Sequence, residues 1–203
     1  MQNLFQQTPV AGTIFISTIL ISLLAFDKRS IIYNKFLLHP WSLVRGQRIY
    51  SFLMHAFIHA DFAHLLFNMI TFYFFAFGLE MEVGHLNFAI IFFGSLFISV
   101  ISTIYKYKND DDYRSLGASG AVSGVIFSAI IYNPSSKIYI LLIPVGIPSP
   151  IFALLFVGYS YFASKNRYDN IAHEAHLWGA IGGVVLTIIL NPNALVEFFQ
   201  KIF

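Results

Sequence analysis

The chain has 203 residues, of which 57% are hydrophobic and 11% are charged, and its formal net charge is +2. Soluble domains carry about 25% charged residues, so this composition excludes an ordinary soluble domain and predicts an integral membrane protein. The charge is too small and scattered to imply nucleic acid or a soluble partner. The lack of cysteine excludes disulfides and thiolate metal sites.

A helix that crosses the hydrocarbon core of a bilayer needs about 20 mostly apolar residues, and six segments are apolar enough to qualify. They run approximately over residues 10–26, 62–79, 86–105, 116–132, 150–164 and 171–190. We therefore predict an all-α membrane protein whose six transmembrane helices form a single domain over residues 1–203.

Two stretches are irregular. Residues 27–60 are too polar to span a bilayer, yet they contain Phe36 and Trp41, and this mixture is typical of a segment lying in the membrane interface. Prolines such as Pro144 and Pro150 interrupt the approach to the fifth segment. Because proline weakens the helical hydrogen-bond ladder, we expect the regular helix to begin near Pro150 and this side of the bundle to be mobile.

Three polar residues are predicted to lie near one face of the membrane. With six spans, the second, fourth and sixth segments run in the same direction, and they begin close to His64, Ser119 and His176. Ser119 follows Arg114 by five residues, so its depth is roughly 7–8 Å at 1.5 Å per residue. Polar groups at such positions are rare and are functional by default.

Small residues offer a way for two of these side chains to meet. Residues 120–124 and 179–183 are both G-x-x-x-G motifs, which let helix backbones approach closely. Packing these motifs together would place Ser119 beside His176. The alternative is that the glycines serve ordinary packing and that the Ser119 hydroxyl bonds to a backbone carbonyl.

A serine and a histidine in contact are a recognised arrangement for nucleophilic catalysis. The serine hydroxyl is a poor nucleophile unless a base removes its proton, and acyl transfer also needs donors aimed at the developing oxyanion. His64 and Asn68 are spaced i, i+4 and share a helix face, and the Ser119 backbone N–H is a third donor. Alternatively, His64 and Asn68 are a buried polar pair that holds helices together.

Three motifs occur in a recognisable order along the chain. They are H-x-x-x-x-H-x-x-x-N over residues 59–68, G-x-S-G over residues 117–120 and A-H-x-x-G-x-x-x-G over residues 175–183. Together they resemble the rhomboid family of intramembrane serine proteases. The resemblance covers roughly residues 46–190, and the ordered set is far more specific than any one motif.

The resemblance implies both a fold and an activity. It implies a six-helix rhomboid core in which Ser119 is the nucleophile and His176 the general base, a dyad without a third acidic member. It implies that His64 and Asn68 stabilise the oxyanion beside the Ser119 amide. It further implies that the substrates are single-pass membrane proteins in the lipid bilayer, and that catalysis needs no cofactor, metal or ATP.

The chain departs from the family pattern at several positions. Many members carry Trp-Arg in the first loop, where this chain has Tyr50 and Ser51. Some members have an aromatic residue four positions after the serine, where this chain has Ser123. We therefore expect a different anchoring of the loop and of the imidazole. Glu80 matches a glutamate common after the second helix, and we expect its role to be structural.

The charge distribution and the resemblance disagree about orientation. Ten of the twelve basic residues lie on the predicted side of the Ser119 entrance: Lys28, Arg29, Lys35, Arg45, Arg48, Lys106, Lys108, Arg114, Lys165 and Arg167. The positive-inside rule places such a face in the cytoplasm, whereas the resemblance implies that the active-site mouth opens outside. We follow the resemblance and expect a compact, bacterial-type member in the cell membrane.

Two other functions fit parts of the sequence. A metal-dependent membrane hydrolase is suggested by His173-Glu174-Ala175-His176, but this run is one residue short of the H-E-x-x-H spacing that aims two rings at one zinc. We expect His55 and His173 to be interfacial residues instead. A non-catalytic rhomboid-like binding or trafficking factor is the other alternative, although inactive relatives usually lose the serine or the histidine and this chain has both.

Overall fold

The computed structural model describes residues 3–27, 30–140, 145–165 and 171–203, and these residues are predominantly helical. In chain order the helices are α1 Leu4–Gln7, α2 Pro9–Ala25, α3 Ile31–Phe36, α4 Pro40–Leu43, α5 Ser51–Met54, α6 Phe62–Val83, α7 His85–Tyr107, α8 Ser119–Tyr132, α9 Ser149–Lys165, α10 His173–Leu190 and α11 Ala194–Ile202. A 3₁₀ turn at His55–Phe57 follows α5.

Three of the described helices, α6, α7 and α10, are long and apolar enough to cross a membrane by length and composition. Helices α2 and α8 are also apolar, but they contain only 17 and 14 residues. A helix lies at each of the six predicted segments. Length and composition nevertheless support three spans within the described part of the chain, so the six-span bundle stays a prediction.

Two helix ends differ from the predicted bounds because a glycine sets them. Helix α8 begins at Ser119 rather than at residue 116, since Gly117 has φ +106° and Ser115 pairs with Leu38 in an antiparallel bridge. Helix α6 continues past residue 79 until Gly84, which has φ +80°. Residues with a side chain rarely adopt these positive φ values, and a residue in this conformation cannot continue a right-handed helix, so each glycine limits its helix.

A short β-hairpin precedes α9 and is absent from the predicted all-helical arrangement. Strand β1 (Lys137–Tyr139) pairs antiparallel with β2 (Gly146–Pro148). Pro148 ends β2 and lies on a two-stranded sheet, where the missing N–H of proline is tolerated. Helix α9 then begins at Ser149, close to the predicted start at Pro150, whereas Pro144 lies outside the described residues.

The region between α2 and α6 consists of short helices, none of which is long enough to span a bilayer. An aromatic–cation pair stabilises it, since the Arg45 guanidinium lies 3.9 Å from the centre of the Trp41 ring. The same guanidinium donates to the Trp41 carbonyl oxygen at 2.8 Å. Trp41 and Arg45 lie nine and five residues upstream of Tyr50, which with Ser51 holds the positions where the resemblance led us to look for an anchor.

Helix α8 lies at the centre of the fold, and α9 lies at its edge. Eleven of the fourteen residues of α8 are buried, including the apolar side chains of Val125 and Ile126. In α9, by contrast, only Ser149 and Ser160 are buried among the described residues. The residue at which α8 begins is therefore held by the best-packed helix of the molecule.

Candidate active site

Ser119 is the first residue of α8, and the loop before it is held by backbone hydrogen bonds to the region between α2 and α6. Leu38 and Ser115 exchange two backbone hydrogen bonds of 2.9 and 3.1 Å, and the Gly117 N–H donates to the His55 carbonyl at 2.9 Å. The region between α2 and α6 thus determines where α8 starts. The Ser119 N–H belongs to the first turn, where amide groups have no intrahelical acceptor.

Glycines allow α8 and α10 to touch through their backbones. A Cβ added at Gly179 would lie 3.0 Å from the Gly120 Cα and would strike the Gly120 carbonyl. One turn further, a Cβ added at Gly183 would lie 2.6 Å from the Gly124 Cα. Any larger residue at these positions must push the helices apart, so the two G-x-x-x-G motifs meet as we predicted from their spacing.

The Ser119 Oγ lies 2.7 Å from the His176 Nε2, which is hydrogen-bonding distance. Both side chains are half-buried. Ser123 Oγ, one turn later, donates to the Ser119 carbonyl at 2.8 Å. The serine that bonds to a backbone carbonyl is therefore Ser123, whereas Ser119 contacts the imidazole.

His64 and Asn68 lie on α6 and face the same cavity as Ser119 and His176. A Cβ added at Gly117 would lie 2.9 Å from His64 Cε1 and 3.0 Å from Nε2, so glycine is required for this imidazole to approach the loop before Ser119. Asn68 Nδ2 donates to the His64 carbonyl at 3.0 Å. All four residues that we singled out from the sequence therefore come together.

The cavity that contains them has a volume of about 1010 Å³. Its walls come from α3, α6, the end of α7, the loop before α8, the end of α9 and the start of α10. A drug-sized ligand pocket is typically about 300–1,000 Å³, so this space accommodates several residues of a peptide together with water.

Two buried histidines support the floor of the site and were not singled out from the sequence as functional. The His59 Nδ1 lies 2.9 Å from Ser22 Oγ, and its ring centre is 4.9 Å from that of His64. Burial and the neighbouring His64 lower the pKa of His59 to about 3. Burial lowers the pKa of His55 to about 4. Both rings are therefore neutral near pH 7.

His173 is a third buried histidine, and it lies beside the proposed base. Its ring meets the His176 ring edge-on at 6.1 Å and the Tyr159 ring edge-on at 5.3 Å. The ring that contacts His176 is therefore that of His173, which Tyr159 supports in turn, and position 123 holds a serine instead of an aromatic residue. Within the described ranges, no group of three or more His, Asp or Glu residues is placed to hold a metal ion.

An ion pair in the cavity wall was missed by sequence reasoning. Lys106 Nζ lies 3.1 Å from Glu174 Oε2, and both residues line the cavity. Nothing in the local sequence links the last turn of α7 to the first turn of α10. The one available signal is that Glu174 is an acidic residue two positions before His176 in an otherwise apolar segment.

Comparison with known proteins adds a family match to this geometry. A family model for the rhomboid domain matches residues 46–193. Over 142 residues, the chain is 34% identical to "Putative rhomboid protease YdcA" of Bacillus subtilis, a match that covers 65% of this chain and 62% of that protein.

Two mitochondrial proteins are also similar to the chain. "RHOMBOID-like protein 12" of Arabidopsis thaliana is 24% identical over 89% of this chain and 57% of its own length. "Rhomboid protein 1" of Saccharomyces cerevisiae is 28% identical over 66% of this chain and 40% of its own length. The matches thus span less than two thirds of the length of each of these three relatives.

Proposed function

Because this chain belongs to the rhomboid family, we propose that it is an intramembrane serine endopeptidase that cleaves single-pass transmembrane proteins. The observation that carries the proposal is the 2.7 Å contact between Ser119 Oγ and His176 Nε2 in the wall of a cavity of about 1010 Å³. A nucleophile within hydrogen-bond reach of a base is the arrangement that serine acyl transfer requires.

In the proposed reaction His176 acts first as a base and then as an acid. Ser119 Oγ attacks the scissile carbonyl carbon while His176 Nε2 takes the hydroxyl proton, which requires that Nδ1 carries the ring hydrogen. The tetrahedral intermediate then collapses: the C–N bond breaks, and His176 gives its proton to the leaving amine. Water, deprotonated by His176, then attacks the resulting ester; the bond between the acyl carbon and Ser119 Oγ breaks, and His176 returns the proton to Oγ.

The oxyanion of that intermediate needs donors, and three are available around the cavity. We assign this role to the His64 imidazole, the Asn68 amide and the Ser119 N–H. The Ser119 N–H lies at the N-terminus of α8, where the helix dipole favours negative charge. Removing one such donor typically costs about 10²–10³ in kcat, so each donor should matter without being indispensable.

We further propose that all six predicted segments cross or enter the membrane as one domain over residues 1–203. Helix α8 has 14 residues and is therefore about 21 Å long, shorter than the hydrocarbon core of about 30 Å. A span this short starts below one surface, which supports a buried nucleophile that water reaches through the cavity. Substrate then enters sideways from the lipid.

For location, we propose a bacterial cell membrane with the cavity mouth facing outward. Orientation is tested by tagging the N-terminus and adding protease to intact cells. A protected tag agrees with an inward N-terminus, whereas a tag cleaved from outside would reverse the proposed orientation.

The function is tested with purified protein in detergent and in liposomes, using a generic single-pass substrate with and without a chelator. We expect wild-type protein to cleave it regardless of chelator and both Ser119→Ala and His176→Ala to be inactive. Ser123→Ala is the matched serine control, since its hydroxyl lies one turn further along α8 and bonds to a carbonyl. It should retain most activity.

Other results of this assay would contradict the proposal or favour a different function. Cleavage that survives Ser119→Ala would remove the nucleophile assignment, and cleavage abolished by the chelator would favour a metal-dependent hydrolase. If no form cleaves, a covalent serine-directed probe decides: labelling that depends on Ser119 indicates a narrow substrate preference. The absence of labelling indicates a non-catalytic rhomboid-like protein.

A further inference from the structure

The Lys106–Glu174 ion pair lies in the cavity wall close to the proposed base. Glu174 is in the first turn of α10, two residues before His176. Lys106 is in the last turn of α7, and its Nζ also donates to the Ser164 carbonyl at the end of α9 at 3.2 Å. Tyr107 interacts with both members of the pair. Three helices therefore converge on this carboxylate.

One oxygen of that carboxylate has no partner. Glu174 is only 8% exposed, and while Oε2 pairs with Lys106, Oε1 is buried and accepts no hydrogen bond. Leaving a buried acceptor without a hydrogen bond destabilises the folded protein, and the effect is larger if the acceptor is charged. Unsatisfied buried groups are rare in native proteins and call for an explanation, and a bound ligand that donates to Oε1 is one.

The charge of the cavity indicates what kind of donor it would attract. Among the described residues that line it, four are acidic and two are basic: Asp61, Asp110, Asp112, Glu174, Lys106 and Arg114. Both basic side chains already have acceptors, because Lys106 pairs with Glu174 and Arg114 donates to the carbonyls of Asp111 and Tyr113. A concave site with this excess of negative charge concentrates cations.

We propose that Glu174 is a docking residue for a lysine or arginine side chain of the substrate, and that this subsite selects substrates with a basic residue beside the cleaved bond. The inference rests on the proposed protease function. By helix geometry the Cα atoms of Glu174 and His176 lie about 5.4 Å apart. An extended peptide advances about 3.3 Å per residue, so the basic residue belongs within about three positions of the scissile bond.

A competing role for Glu174 is purely structural, in which the ion pair only joins α7, α9 and α10. The two roles differ in what they predict. A structural clasp affects all substrates equally, whereas a docking carboxylate affects the ratio between basic and neutral substrates.

The experiment uses a single-pass substrate in two series, with one lysine or one glutamine placed in turn at each of the five positions on either side of the cut. Initial rates are measured with purified wild-type protein in liposomes. We expect lysine to raise kcat/KM by about tenfold over glutamine at one or two adjacent positions, the gain of one charge-assisted hydrogen bond. At the remaining positions the two series should be equal.

Two variants and one control then identify the group responsible. Glu174→Gln should bring the lysine-to-glutamine ratio close to one while it still cleaves the glutamine series. Lys106→Gln should raise the ratio above the wild-type value, because the carboxylate loses its present partner. Glu197→Gln is the matched control, since Glu197 lies in α11 and is not among the cavity residues; it should leave the ratio unchanged.

The outcomes separate the subsite from the protease activity. Equal rates for both series with wild-type protein overturn the subsite even if Glu174→Gln does not fold. Equal loss on both series in Glu174→Gln, with the wild-type ratio kept, also overturns it and favours the clasp. If neither cleavage nor labelling by a serine-directed probe depends on Ser119, the protease proposal itself fails and the subsite fails with it.

Discussion

Helices α8 and α9 both border the cavity region, but they are held in different ways. Helix α8 is buried along almost its whole length and touches α10 through glycine backbones. In α9 the buried residues are two serines, and its apolar side chains such as Leu154 and Phe162 are exposed. The bundle thus combines a rigid half that carries the proposed dyad with a half that faces lipid.

The difference indicates how one small bundle could meet two opposed requirements. A serine and a histidine on separate helices need placement to within a fraction of an ångström, which backbone-to-backbone contact provides. A membrane substrate needs a route into the cavity, which a loosely packed helix provides. Helix α9 is attached at its two ends, through Ser149 hydrogen bonds to the loop after α8 and through the Lys106 bond to Ser164.

The largest expected effect on cleavage comes from separating α8 and α10, the two helices of the rigid half. Gly179→Val places a branched side chain against the Gly120 backbone, so α10 must move and the contact between Ser119 and His176 must lengthen. We expect cleavage to fall by about 1,000-fold, which corresponds to roughly 4 kcal/mol. Cleavage assays and thermal unfolding in detergent measure the effect.

The matched control is Gly158→Val in α9, where an added Cβ meets no atom within 4 Å. That variant should cleave at close to the wild-type rate. Equal losses from the two substitutions would contradict the distinction between a rigid and a loosely packed half.

The second-largest effect is expected from acidification, which should destabilise the region beneath the site that contains His55 and His59. His55 and His59 have pKa values lowered to about 4 and about 3 in the folded protein, below the ordinary value near 6.5. The unfolded chain therefore binds these protons first, and stability is lost as the pH falls from 6.5 towards 4. The groups facing His59 are His64 and Asp61, and Asp61 offsets only part of the effect.

We expect each histidine to contribute on the order of 3 kcal/mol to this loss. Unfolding temperatures in detergent between pH 7.5 and 4.5 measure it, and His55→Gln should flatten the profile. An unfolding temperature that is the same across this range would argue against neutral, buried rings beneath the site.

A tether across the cavity tests the loosely packed half. Phe67 of α6 and Ala163 of α9 both line the cavity, and the chain has no cysteine of its own. A Phe67→Cys/Ala163→Cys variant cross-linked by a short bismaleimide should cleave a membrane substrate roughly tenfold more slowly, because gating motions are blocked.

Labelling of the same variant by a small serine-directed probe should be unchanged, since the cross-link joins α6 to α9 and does not move Ser119 or His176. The two single-cysteine variants treated with the same reagent are the controls. Unimpaired cleavage by the cross-linked protein would show that substrate does not enter between α6 and α9.

The smallest effect is expected at the fixed end of α9. Ser149 Oγ donates to the Pro134 carbonyl at 3.0 Å, and Ser149→Ala removes this buried hydrogen bond at a cost of about 1 kcal/mol. Cleavage should change less than threefold, because the proposed movement of α9 does not depend on this bond. A large loss of activity would show that the proposed movement of α9 does depend on this hydrogen bond.

The site could be predicted from sequence further than the fold could. Ser119, His176, His64 and Asn68 were found because polar residues in apolar segments are conspicuous and because their spacing matches ordered motifs. The structure brings all four to one cavity, while their catalytic roles stay predictions. The glycine contact was also foreseen, since backbone approach depends on which residues lack a side chain.

Other features depend on contacts that local sequence does not encode. The hairpin before α9 forms because β1 and β2 pair with each other, whereas the sequence indicated only that prolines make this stretch irregular. Lys106 and Glu174 are 68 positions apart, and only the packing of α7 against α10 makes them partners. The partner of His59 is likewise distant in sequence, since Ser22 lies in α2, 37 positions earlier.

Glu80 has a consequence for how the protein is made. Its carboxylate is fully buried and accepts hydrogen bonds from the Val10 and Ala11 N–H groups and from His85 Nδ1. The N-terminus of α2 leaves the ribosome first, so its amides are already present when Glu80 enters the bilayer. A nascent chain whose α2 is misplaced would leave the Glu80 carboxylate in the membrane without these donors, which is costly, so insertion of α6 favours the correct placement of α2.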